Sequence, residues 1–186
     1  MVDFARFGGA FVALGGVLWS AAALAGWTGQ EGASSALYPV AALVLLAGMY
    51  GFYRRSAGGM GGAGQAGFVQ SFIGLGMLTA GLVGELIPAV ASAAAQVTSF
   101  GFLISGLGLI LLGYSAIYNE PLPRWNFLPL VVAIFIPLDI LFGGLSAAVS
   151  PLLAVGFGGA WVVLGYLLWG APEAPARSKP PSSTSR

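Results

Sequence analysis

Six stretches of this chain are each long and apolar enough to cross a lipid bilayer, and nothing else in the sequence restricts the fold so tightly. They run over Phe7 to Trp27, Leu37 to Tyr53, Phe68 to Pro88, Ala94 to Tyr118, Phe127 to Ala147 and Ser150 to Gly170. A spanning helix takes roughly 17 to 25 residues, most of them apolar. Hydrocarbon offers no water to a backbone N–H or C=O, so only helices and closed barrels can cross it. The runs mix Leu, Ala, Val and Gly without the sustained alternation of barrel strands, which points to helices. The expected fold is therefore all-α: a polytopic bundle of six transmembrane helices with short loops over residues 1–170. Residues 171–186, APEAPARSKPPSSTSR, are expected to form a disordered Pro/Ser-rich cytoplasmic tail. Composition agrees: with 58% hydrophobic and 7% charged residues, a water-soluble globule would lack polar surface.

Arg6 ahead of the first run, and Ala23-Leu24-Ala25 near its end, resemble a secretory signal. The apolar stretch is long for that role, so a retained first helix is expected. Cleavage after Ala25 would leave the orientation of the other five helices unchanged.

Charge fixes the expected orientation. Six helices place the connecting segments alternately on two sides, and all seven basic residues fall on one of them: Arg6, Arg54, Arg55, Arg124, Arg177, Lys179 and Arg186. The opposite loops, TGQEGASSA, the link after Pro88 and the turn near Ala147, have none. Lys and Arg are retained in short cytoplasmic loops, so both termini are expected in the cytoplasm of a multi-pass protein of the cell inner membrane. Richness in Ala and Gly, with Arg in place of Lys, is typical of small membrane proteins of GC-rich bacteria.

The chain contains no cysteine and no histidine. Thiolate nucleophiles, histidine-ligated haem, most zinc chemistry and Ser-His or Cys-His catalytic pairs are thereby excluded. No enzyme activity, cofactor or metal site is expected. The formal charge of +1 comes with no basic stripe, so nucleic acid is not an expected partner. Gly59 to Gly64 match G-x-G-x-x-G, but the motif lies between two membrane helices and not between a strand and a helix, so nucleotide binding is not expected.

The expected partners are the lipid bilayer and other membrane protein subunits, with a homo-oligomer left open. Small residues let membrane helices approach closely. Candidate rows are Gly76, Ala80 and Gly84; Gly9 and Ala13; Gly101 and Ser105; and Gly156 and Ala160. Tyr50, Tyr53, Tyr114, Tyr118, Tyr166 and Trp169 close the second, fourth and sixth spans. They read as an interfacial aromatic belt, with a threefold hairpin repeat as the alternative. In the loop NEPLPRWN, Pro121 and Pro123 stop helices, while Arg124 and Trp125 read as interfacial anchors.

Two acidic residues lie inside the spans, Glu85 and Asp139. Asp139 stands in FIPLDILFGG, near the middle of the fifth span, where a charge costs about 2.5 to 3.5 kcal/mol on insertion scales. Gly143 and Ser146 share its face; Gln70, Gly74 and Gly81 share that of Glu85. Arg124 is about 22 Å away along the helix, too far to neutralise Asp139. Three states are open: a protonated carboxyl bonded to a neighbour, an ionised one reached by water, or one holding a cation. The candidate intramembrane polar site comprises Asp139, Glu85, Ser146, Gln96 and Ser99, with Thr98 as a further partner. Lacking a catalytic constellation, the chain reads first as an accessory or structural subunit of a membrane assembly. The alternative is a small transporter or proton/cation-coupled permease using Asp139. A polar cavity at Asp139 would favour the second, and a dry helix contact the first.

Overall fold

Each apolar run closes its own backbone hydrogen bonds, and the helices extend until a glycine or a capping network stops them. The computed structural model describes residues 4–56, 60–119, 125–146 and 148–170. Six α-helices form over them: α1 Phe4–Trp27, α2 Glu31–Ser56, α3 Gly61–Glu85, α4 Ala91–Asn119, α5 Leu128–Phe142 and α6 Val149–Gly170. A 3₁₀ turn, Gly143–Leu145, follows α5. All six segments, α5 with its 3₁₀ turn, are long and apolar enough to cross a membrane, the architecture of a multi-pass membrane protein.

Two helices start earlier than the sequence suggests. α2 begins at Glu31 and not near Leu37, because α1 ends in a tight cap. Gly29 adopts φ 81°, the Gln30 N–H bonds the Ala25 carbonyl at 2.8 Å, and the Gly29 N–H bonds that of Gly26 at 3.1 Å. This pairing is a Schellman motif, and it lets α2 start on the next residue. α3 begins at Gly61 and not near Phe68, within the glycine-rich segment that joins the second and third spans. Its start is tied to the end of α4: the Ser115 hydroxyl donates to the Met60 carbonyl at 2.5 Å, and the Asn119 amide reaches the same oxygen at 3.4 Å. Residues 57–59 and 120–124, the latter including Glu120, Pro121, Pro123 and Arg124, lie outside the described residues, as does the 171–186 tail. Trp125, beyond them, stacks on Phe127 with ring centroids 5.8 Å apart.

Every helix packs on its neighbours in sequence, and α6 returns to α1, so the six form a closed ring. Contact is most extensive in three pairs, α3/α4, α1/α2 and α1/α6. Glycines bring these backbones together. A Cβ on Gly67 would stand 2.5 Å from the Leu112 nitrogen, one on Gly74 would collide with Ser105, and one on Gly81 would stand 2.5 Å from the Thr98 nitrogen. On α1, Gly8 faces Gly51 of α2, while Gly9 and Gly16 face Gly165 and Gly158 of α6. Small residues seven apart suit the left-handed, roughly 20° crossing common in membrane bundles. The row Gly76, Ala80, Gly84 is therefore not the packing row of α3: Gly76 meets nothing within 4 Å and Ala80 is exposed. The expected rows Gly9/Ala13 and Gly101/Ser105 do lie in contacts, against α6 and α3, and Gly156 packs on Phe135.

The buried hydroxyls of the α3/α4 seam are satisfied locally, whereas the Trp161 indole N–H between α1 and α6 has no partner among the described residues. Ser71 donates to the Gly67 carbonyl at 2.8 Å, Thr79 to Leu75 at 2.8 Å and Ser105 to Phe102 at 2.9 Å, so the seam buries no orphan hydroxyl. Trp161, Phe52, Met49 and Leu45 fill the interior. Tyr50, Tyr114, Tyr118, Tyr166 and Trp169 are exposed at the end of the bundle where α2, α4 and α6 finish, as a belt requires. Tyr53 differs: it turns inward and stacks on Phe68 at 4.3 Å.

Filling one of these glycine contacts tests the packing scheme. Gly74→Ala should destabilise the bundle by about 1–3 kcal/mol through overpacking, whereas Gly76→Ala should stay within about 0.5 kcal/mol of the native chain. Unfolding in mixed micelles with increasing SDS fraction reads both, and equal effects would refute the assignment of the packing face.

Candidate functional site

α5 is the short helix of the bundle. Its 15 residues amount to about 22 Å, against about 33 Å for the 22 residues of α6. Pro137 cannot donate to the Ala133 carbonyl, and the Gly143-Gly144 pair lets the helix tighten into 3₁₀ geometry. The helix runs through Pro137 unbroken but closes at Phe142, well before the expected Ala147. Asp139 therefore sits in the last turn of α5 and not at the middle of a long span. The Gly143 N–H bonds the Asp139 carbonyl. Gly143 also makes room for the side chain: a Cβ there would lie 2.6 Å from Asp139 Oδ1 and 3.4 Å from Ser150 Cβ.

The carboxylate opens into a cavity of about 520 Å³ to which all six helices contribute. Trp19 of α1, Phe102 of α4 and Phe157 of α6 form its floor, with ring centroids 5.3 to 6.2 Å apart in edge-to-face arrangements. Tyr38 of α2 packs edge-on to Trp19 at 4.9 Å. The floor is deep, Trp19 and Phe157 being 3% and 5% exposed. The rim is open: Asp139 and Ser99 are exposed, and Ile140 beside them is 64% exposed. Tyr38, Ser99, Ser150 and Asp139 supply the polar side chains of the lining. Among the described residues, no side-chain hydrogen bond or ion pair holds the Asp139 carboxylate.

Of the five predicted site residues, the structure brings two together, Asp139 and Ser99. Glu85 instead accepts a hydrogen bond from the Thr98 hydroxyl at 2.5 Å, joining the end of α3 to the start of α4. Gln96 and Ser146 are exposed outside the cavity lining. Ser146 has extended backbone and its carbonyl accepts the Val149 N–H, so it serves the α5–α6 turn. Sequence reasoning missed Tyr38, Ser150 and the aromatic floor. Tyr38 and Ser150 stand near the starts of their spans, on the side that carries Asp139, and that shared level was the available signal.

No family model matches the chain, and no curated protein or solved structure is significantly similar to it. Its chemistry rests on the geometry alone. Among the described residues no three acidic side chains converge to hold a metal. Asp139 is the one carboxylate of the lining, which contains no lysine or arginine. A shallow surface groove of about 560 Å³ runs along α3 toward the opposite end, lined in part by Tyr53, Gln65 and Gln70 and by the exposed Val69 and Ile73.

Because the chain lacks cysteine, introduced thiols report access to the cavity cleanly. Ser99→Cys and Ser150→Cys should react with a charged, water-soluble thiol reagent roughly tenfold faster or more than Ser105→Cys, which lies buried between α3 and α4. Comparable rates at all three positions would mean that the cavity is dry.

Proposed function

We propose that this chain is a small carrier of the bacterial inner membrane that binds its ligand at Asp139. The observation that supports it is the meeting of an unpaired carboxylate with a cavity built from all six helices. A carboxyl able to load and release a proton or cation within the bilayer is what coupled transport needs. Alternation of access also needs parts that move as units. The extensively packed α1, α2 and α6 form one such part, α3 and α4 another, with thinner contacts at α2/α3, α4/α5 and α5/α6. The one-sided distribution of Lys and Arg along the sequence supports cytoplasmic termini and, with them, an outward-facing Asp139 cavity. The chain itself is proposed to carry out no covalent chemistry.

The accessory-subunit reading draws on a different observation. α5 and its 3₁₀ turn leave Ile134, Ile140, Leu141 and Leu145 uncovered, a face that lipid or a partner helix would cover. Flux separates the two readings. In proteoliposomes, native protein should carry a proton-linked or cation-linked flux that Asp139→Asn lowers by roughly tenfold or more, with no loss of folded protein. No flux from the native chain, together with stable co-purification in a larger membrane complex, would replace the carrier by the accessory role. For orientation, a reporter fused after Arg186 should be active only in its cytoplasmic form; an exported reporter would reverse the assignment.

A further inference from the structure

We propose that the Asp139 cavity selects organic monocations, molecules that join one fixed positive charge to an apolar body. The inference rests on the carrier reading for its role and on three independent features for its chemistry.

The first feature is charge. Among the described residues, the end of the bundle that holds the cavity carries Glu31, Glu85 and Asp139 and no lysine or arginine, while Arg54 stands at the other end of α2. Three helix C-termini and three N-termini meet there, so their partial charges largely cancel and the carboxylates set the sign of the field. Cations are drawn toward such a mouth and anions repelled. The second feature is the lining. Its polar side chains are Asp139, three hydroxyls and the Trp19 indole, with no lysine or arginine to balance the charge of an anion. An inorganic cation fares no better: a calcium ion takes roughly six to eight oxygen ligands, which a single carboxylate and an aromatic wall do not provide. The third feature is the floor. Trp19, Phe102 and Phe157, with Tyr38 beside them, offer aromatic surface to an alkylammonium or phosphonium group and its substituents, the usual means of holding a cation that keeps no tight water shell. The volume of about 520 Å³ lies in the range of small-molecule sites, roughly 300 to 1,000 Å³. Carboxylate at the rim and rings at the base therefore match a ligand whose charge stays near the mouth while its apolar body fills the depth.

Two ions of the same shape and opposite charge give the test. Tetraphenylphosphonium and tetraphenylborate are titrated calorimetrically into the purified full-length protein in neutral detergent micelles, with empty micelles as the blank. The phosphonium should bind about tenfold or more tightly than the borate, and Asp139→Asn should remove most of that difference. Trp19→Leu should weaken the phosphonium severalfold where Trp19→Phe does not, which guards against a variant that merely unfolds. Equal affinity of the two ions, or undiminished phosphonium binding by a folded Asp139→Asn protein, overturns the assignment. Phosphonium binding without flux in proteoliposomes would end the carrier reading and leave the cation site standing. Asp139-dependent flux without preference for the cation would do the reverse.

Discussion

The close approach of glycine backbones in lipid is the interaction on which this bundle depends. Lipid tails are as apolar as leucine, so burial of side chains gives membrane helices little reason to associate. What remains is van der Waals packing, and it grows as the backbones come nearer. Gly67, Gly74 and Gly81 on α3, Gly101 and Gly108 on α4, and the Gly9/Gly165 and Gly16/Gly158 contacts of α1 and α6 serve this end. Each is a place where one methyl group would force two helices apart. The same residues would weaken helices in water, where their entropy cost is not offset by such contacts.

That dependence also divides the bundle. Backbone contact is dense where glycines stand seven apart, and α5 has no comparable row. Gly113 of α4 and Gly156 of α6 receive Leu130 and Phe135 from it, side-chain contacts for the most part. A helix held by side chains, shorter than its neighbours and ending in a glycine pair, leaves unfilled space between its last turn and the opposite helices. The cavity occupies that space, and it collects one polar or aromatic group from nearly every helix.

The broad architecture was legible because hydrophobic length is a strong local signal: all six runs became helices, in order. Element ends were less legible. The Gly29 cap that starts α2 early, and the Ser115 and Asn119 bonds that hold the beginning of α3, are respectively a backbone conformation and a long-range contact, and neither leaves a pattern in composition. The wrong glycine row was chosen on α3 for a related reason. A helix with glycines at 61, 62, 64, 67, 74, 76, 81 and 84 offers several small faces, and only the partner decides which is used. Asp139 was visible at once as a charge in a greasy run. Its cavity was not, since Trp19, Tyr38, Phe102 and Phe157 come from four separate helices with no shared spacing.

The position of Asp139 resolves the energetic difficulty of placing it there. A carboxylate deep in hydrocarbon costs about 2.5 to 3.5 kcal/mol, a large fraction of the stability of a protein whose total is about 5 to 15 kcal/mol. In the last turn of α5 the side chain lies beside Gly143 and Ser150 and stays exposed at the rim of the cavity. A carboxylate at a wet rim avoids much of the cost that a deeply buried one incurs. Early closure of α5 thus has two consequences of one cause: it makes the cavity, and it lets the cavity keep its charge. A longer, better packed fifth helix would give a more stable bundle and would bury Asp139 against its neighbours.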